Sequence, residues 1–196
     1  MMKMKNIIII ALLAVFFFLI GASIAAVVNM SEEGLKEQSL QTLQDSEGRD
    51  NHHAVGMNII EEPVEGVRND AESLETIIQS NEVTVINFFA SWCDPCRRET
   101  PELNAFHESN QERPVGIVGI NVDDRADNRD AFLEEFEVAY PVFEFADESG
   151  SIEEYNIHLM PTTFFVNSEG EIIRAYVGEV EQNLINNYIN YVKEAS

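Results

Sequence analysis

Cys93 and Cys96 are the two cysteines of this 196-residue chain, separated by Asp94 and Pro95. A pair at that spacing can close a disulfide and open it again, so the chemistry on offer is thiol–disulfide exchange. The alternatives are weaker. A zinc ion needs four ligands, and no second cysteine pair exists to complete the set. A structural bridge across so short a loop removes little entropy from the unfolded chain. Glu99 follows Cys96 by one helical turn, on the same face, where a carboxylate can exchange protons with a thiol. A plain surface glutamate in a first helical turn, favoured there by the dipole, is the competing assignment. His52-His53 has the makings of a metal contact but reads more simply as a solvated loop pair.

The elements around the cysteines give them their setting. Val83 to Ala90 is an apolar, β-branched and aromatic run, the signature of a strand buried on both faces. Beyond it the pattern predicts a helix from about Cys93 to Asn110, kinked at Pro101, whose ring displaces a backbone hydrogen bond. The dithiol therefore falls at a helix N-terminus, where unpaired N–H groups and the dipole favour a thiolate. Upstream, Asp70 is positioned to cap a helix carrying Leu74, Ile77 and Ile78 on one face. Downstream come a strand over Val115 to Val122 and an amphipathic helix over Asp127 to Val138. This alternation predicts parallel strands joined by crossover helices. The pattern then changes: a short strand at Pro141 to Phe145, a short helix at Ser151 to Asn156, and a turn running into a strand at Leu159 to Val166. A hairpin turn at Ser168 to Glu171 and an antiparallel return at Ile172 to Val177 follow. Val180, Leu184, Ile185, Tyr188, Ile189 and Val192 make the last helix amphipathic.

Phe89-Ala90-Ser91-Trp92-Cys93-Asp94-Pro95-Cys96 resembles the active-site segment of the thioredoxin superfamily. Arg97-Arg98-Glu99-Thr100-Pro101 is similar to its membrane-anchored TlpA/ResA-like branch. The resemblance spans roughly Ala71 to Ser196 and implies an α/β, thioredoxin-like fold, a central mixed sheet flanked by helices. It also implies roles. Cys93, first on the helix and nearer solvent, attacks; Cys96 resolves the mixed disulfide; Trp92 shields the site and touches substrate. Pro161, in Met160-Pro161-Thr162-Thr163, matches the family's cis-proline, and the Met160 backbone would pair with an extended substrate. Asp94 and Pro95 tune the potential, proline before the second cysteine being a mark of reducing members. Asn87 departs from ordinary thioredoxin, which has a proton-relaying aspartate there; the resembling branch has a glutamate at the position of Glu99. His158, three residues before Pro161, is a candidate modulator of the dithiol, and His107 is expected to pack along its helix. No cofactor and no metal are implied.

Lys3 and Lys5 precede an uninterrupted apolar run, Ile7 to Val28, of 22 residues. At the helical rise that is roughly 33 Å, enough to cross a bilayer core. The positive flank places the remainder outside the cytoplasm. A cleaved signal peptide is the alternative, with Ser23-Ile24-Ala25 as its small-residue site. Residues 1–28 are thus expected to be an N-terminal transmembrane helix, 29–70 an acidic spacer with a small hairpin at Val55 to Val67, and 71–196 the thioredoxin-like domain. A net charge of −23 is ill-suited to nucleic acid or anionic lipid. Together these features predict an extracytoplasmic thiol–disulfide oxidoreductase, mainly a reductase; the resemblance implies exported proteins such as apocytochrome c as its targets and a membrane thiol-electron donor that recharges it. A disulfide-forming oxidase of the same fold and a non-enzymatic peptide-binding adaptor are the alternatives.

Overall fold

Strand β2, Val83–Phe89, is buried at every position and lies inside a six-stranded sheet. In the computed structural model, which describes residues 52–69 and 72–195, the other strands are β1 (Val64–Arg68), β3 (Val115–Asn121), β4 (Val142–Phe145), β5 (Thr162–Asn167) and β6 (Ile172–Val177). Their order across the sheet is β1-β4-β3-β2-β5-β6. β2, β3 and β4 run parallel, while β1, β5 and β6 pair antiparallel with their neighbours, so the sheet is mixed as expected.

Alternation along β2 divides the core. Val83, Val85 and Phe89 join one apolar cluster; Ile86 and Phe88 join the other. The first cluster packs beneath α2 (Asp94–Asn110), α3 (Ala126–Glu135) and α5 (Gln182–Ala195), through Leu103, Phe106, Phe132, Leu133, Ile185 and Tyr188. The second packs beneath α1 (Leu74–Gln79) and α4 (Glu148–Tyr155). Helices thus cover both faces of the sheet, the arrangement a fully buried parallel strand requires. Asn87, in phase with Val85 and Phe89, points toward α2.

Three details differ from the sequence expectation. Ser73 caps α1, its hydroxyl accepting from the Thr76 amide at 3.1 Å, in place of Asp70, which lies outside the described residues. α4 starts at Glu148 rather than Ser151, because the Asp147 side chain accepts from the Gly150 amide and caps the helix earlier. Val55 to Val67 forms no hairpin of its own. Residues 64–68 pair with β4 at one edge of the sheet, and Asn58 bridges Glu171 beside β6 at the other. Between these edges Ala54 and Ile59 are fully buried in the second cluster, so the packed unit reaches further toward the amino terminus than residue 71. The β5–β6 turn accommodates this strap at Gly170, where φ is +87° and a Cβ would collide with the Ile60 side chain. The expected anchor, Ile7 to Val28, lies outside the described residues. Among the described residues no helix is long and apolar enough to cross a membrane.

Candidate active site

Cys93 is the N-cap of α2, and Cys96 closes the first turn. The two are joined by a disulfide with a Cα–Cα separation of 5.3 Å. Cys93 Sγ accepts from the Cys96 amide at 3.2 Å, so the first cysteine's sulfur takes up one of the helix's free N–H groups. The same contact favours a thiolate on Cys93 once the bridge opens. Cys93 is 3% exposed and Cys96 fully buried. Thr100 Oγ1 donates to the Cys96 carbonyl at 2.7 Å.

Glu99 is one turn further along α2 and only 2% exposed. Asn87 Nδ2 donates to its Oε1 at 2.8 Å, and the Val180 amide donates to its Oε2 at 2.9 Å. Burial raises its pKa to about 7, against the lowering pull of the Val180 and Asn87 bonds; the nearby charge of Glu179 adds to the rise. Asn87 also donates to Thr163 Oγ1 at 3.1 Å, which ties α2 to β5 through β2. The Asn87 amide thus holds the Glu99 carboxylate and the Thr163 hydroxyl together. Glu99 also lines a groove of about 470 Å³ with Arg98, Glu102, Glu179, Val180 and Asn183. An Arg98–Glu179 ion pair stands beside that groove. Fully buried Tyr140 has its hydroxyl pKa raised by burial and by the charge of Glu99, so it stays protonated.

The Met160–Pro161 peptide is cis. The Pro161 carbonyl accepts from the Gly178 amide at 2.8 Å, joining this loop to the end of β6. Met160 packs against the core cluster that holds both cysteines. Trp92 is 57% exposed, and its indole N–H donates to the Asp123 carbonyl at 2.7 Å. Leu159, not singled out by sequence, is 67% exposed in the loop leading to the cis peptide. Exposed Trp92 and Leu159 thus supply apolar surface in the cysteine and cis-proline loops.

The histidines make contacts of their own. His158 is exposed and 4.0 Å from Glu153. His107 packs edge-on to Tyr140, and burial lowers its pKa. The His52 ring packs on Phe164 while its Nδ1 accepts from the Ala54 amide, which makes it part of the strap's packing. The sequence also gave no notice of Asp124, whose carboxylate accepts from the Ser91 amide and hydroxyl. Its only linear signal is a polar turn, Asp123-Asp124-Arg125, directly after a buried strand.

The Redoxin family model matches residues 54–191. The thiol-disulfide oxidoreductase ResA of Oceanobacillus iheyensis is 33% identical over 107 residues, 54% of this chain and 55% of that protein. ResA of Bacillus subtilis is 29% identical over 108 residues, 55% of this chain and 60% of that protein. The matched part is thus little more than half the length of these relatives. Among solved structures, a thioredoxin-related protein from Neisseria meningitidis serogroup B superposes with a TM-score of 0.56 at 25% identity, covering 67% of this chain and 98% of that one.

Proposed function

Because this chain belongs to the Redoxin family, we propose that it is a thiol–disulfide oxidoreductase of the ResA type, working mainly as a reductase of exported protein disulfides. One observation carries the reading: a disulfide at the N-terminus of α2 backed, one turn on, by a buried carboxylate that titrates near pH 7. In the reduced form, the Cys93 thiolate attacks one sulfur of a substrate disulfide, and the other leaves as a thiol. Cys96 then attacks Cys93 Sγ, releasing the second substrate thiol and closing the protein's own disulfide. Glu99 takes the proton that Cys96 must lose, a transfer suited to a group whose pKa lies near ambient pH. Trp92, Leu159 and the Met160 backbone beside Pro161 form the surface on which an extended substrate segment lies.

The amino-terminal Lys3, Lys5 and apolar Ile7 to Val28 support a single-pass anchor with the catalytic domain outside the cytoplasm. A membrane thiol donor would return two electrons to the disulfide after each turnover. Exported proteins with adjacent cysteines, apocytochrome c among them, are the substrate class this placement selects.

The test is capture. Cys96→Ser should accumulate mixed disulfides through Cys93, whereas Cys93→Ser should accumulate none. Equal trapping by both variants would overturn the assignment of attacking and resolving thiols. The reduction potential separates reductase from oxidase: a value near thioredoxin's, about −270 mV, fits a reductase, and one above about −150 mV an oxidase.

A further inference from the structure

The carboxylate of Asp124 is engaged on both oxygens. Oδ2 accepts from the Ser91 amide at 2.6 Å and from Asn121 Nδ2 at 3.2 Å. Oδ1 accepts from the Ser91 hydroxyl and from the Arg125 amide, each at 2.8 Å. Asn121 also donates to the Phe89 carbonyl at 3.2 Å, so the ends of β2 and β3 and the cysteine loop meet at one side chain. The preceding residue reinforces the junction. Asp123, with φ at +49°, accepts the Trp92 indole on its carbonyl and donates its amide to Glu148 Oε1 at 2.6 Å. Ser91, Trp92 and Cys93 are consecutive, so the turn grips the two residues that lead into the attacking sulfur.

We propose that Asp124 is a positioning residue for the redox couple, holding Ser91-Trp92 so that Cys93 keeps its place against Cys96 after the disulfide opens. In the oxidised form the S–S bond itself fixes Cys93. Once that bond is gone, Cys93 is held by the Cys96 amide on its sulfur, by its own amide on the Ala90 carbonyl at 3.2 Å, and by the Asp124 clamp behind it. Keeping the two sulfurs together raises their effective concentration, and the S–S bond already supplies the order the clamp needs, so the clamp stabilises the disulfide more than the dithiol. This inference concerns the Cys93–Cys96 couple alone and needs no particular protein substrate.

The experiment equilibrates the full-length chain with dithiothreitol. One protein S–S bond breaks and one forms in the reagent, with two electrons and two protons passing to the protein. Asp124→Ala should move the exchange constant toward the protein dithiol by roughly tenfold, the scale of lost charge-assisted hydrogen bonds. For a two-electron couple that is about 30 mV less negative. Asp124→Asn should shift it less, because an amide oxygen still accepts from the Ser91 amide. Ser91→Ala, which loses only the hydroxyl bond, should shift it least. Trp92 emission in Asp124→Ala should differ from wild type in the reduced form and match it in the oxidised form. An unmoved exchange constant, with both redox forms losing equal thermal stability, would make Asp124 a structural turn residue and overturn the proposal. If Asp124→Ala does not fold, Asp124→Asn and Ser91→Ala decide, and no shift in either overturns it. Failure of the chain to reduce exported proteins would leave this equilibrium measurable, so the two readings stand or fall separately.

Discussion

Glu99 joins acid–base function to the cost of burial. Its carboxyl titrates at about 7, against 4.5 for an ordinary glutamate, chiefly because the ionised form is poorly solvated. The folded pKa lies above the unfolded one, so this residue's contribution to stability is complete below about pH 4.5 and is lost as pH rises through about 7. Across that interval the loss is on the order of 3 kcal/mol. Glu99→Gln keeps the shape and cannot ionise, so its stability to urea should fall markedly less than wild type's between pH 5 and pH 8. The same variant should lower the apparent thiol pKa values, since a nearby negative charge is gone, and slow reduction of a protein disulfide several-fold. Parallel stability curves, with unchanged thiol titration, would mean that the carboxylate is not coupled to the site.

At the scale of elements, the placement of Glu99 depends on the phase of β2 against α2. Asn87 pairs with Gly119 of β3 and Thr163 of β5 in the strand register, and its side chain projects onto Glu99. Asn87→Asp would set two carboxyls at hydrogen-bond distance, and like charges that close cannot both ionise. We expect the pair to share one proton over a wide range and the variant to lose roughly 1–3 kcal/mol of stability at pH 8 relative to wild type. Urea unfolding at pH 5 and pH 8 checks this, with the deficit growing as pH rises. The α2 start, the β2 strand and Glu99's place beside Cys96 were legible because each depends on neighbours within a turn or on a continuous apolar run. Pro161 was legible only through its Met-Pro-Thr-Thr context. The strap over residues 54–68 was not, because Ala54, Ile59 and Val64 each pack on residues far along the chain and leave no period to read. Asp124 was hidden for the same reason: its partner Ser91 lies 33 residues away, and its own surroundings look like an ordinary turn.

At the scale of the molecule, the acidic chain and the apolar amino terminus make a joint expectation. If Ile7 to Val28 remains attached, the full-length protein should sediment with membranes and resist extraction by high salt, because apolar insertion is not screened as surface charge is. Protease added from the extracytoplasmic side should then release a soluble fragment that still reduces disulfides, provided cleavage falls before His52, which among the described residues already packs on the core. A mature amino terminus near Ala26 would replace the anchor with a cleaved leader.

The strap has a mechanical consequence. Residues 54–68 run across the face of the sheet from the β6 edge to the β1 edge, and beyond the His52–Phe164 ring contact a pull arriving through the amino-terminal chain reaches the β6 side. There it meets a short ladder: the Gly56 amide on the Ile172 carbonyl, the Ile172 amide on the Met57 carbonyl, and the Ile59 amide on the Gly170 carbonyl. These bonds can open one after another, as a zip does, while β2 stays flanked by β3 and β5. If Ile7 to Val28 is a membrane tether, tension on it should open the rim before it reaches the disulfide at the end of the central strand.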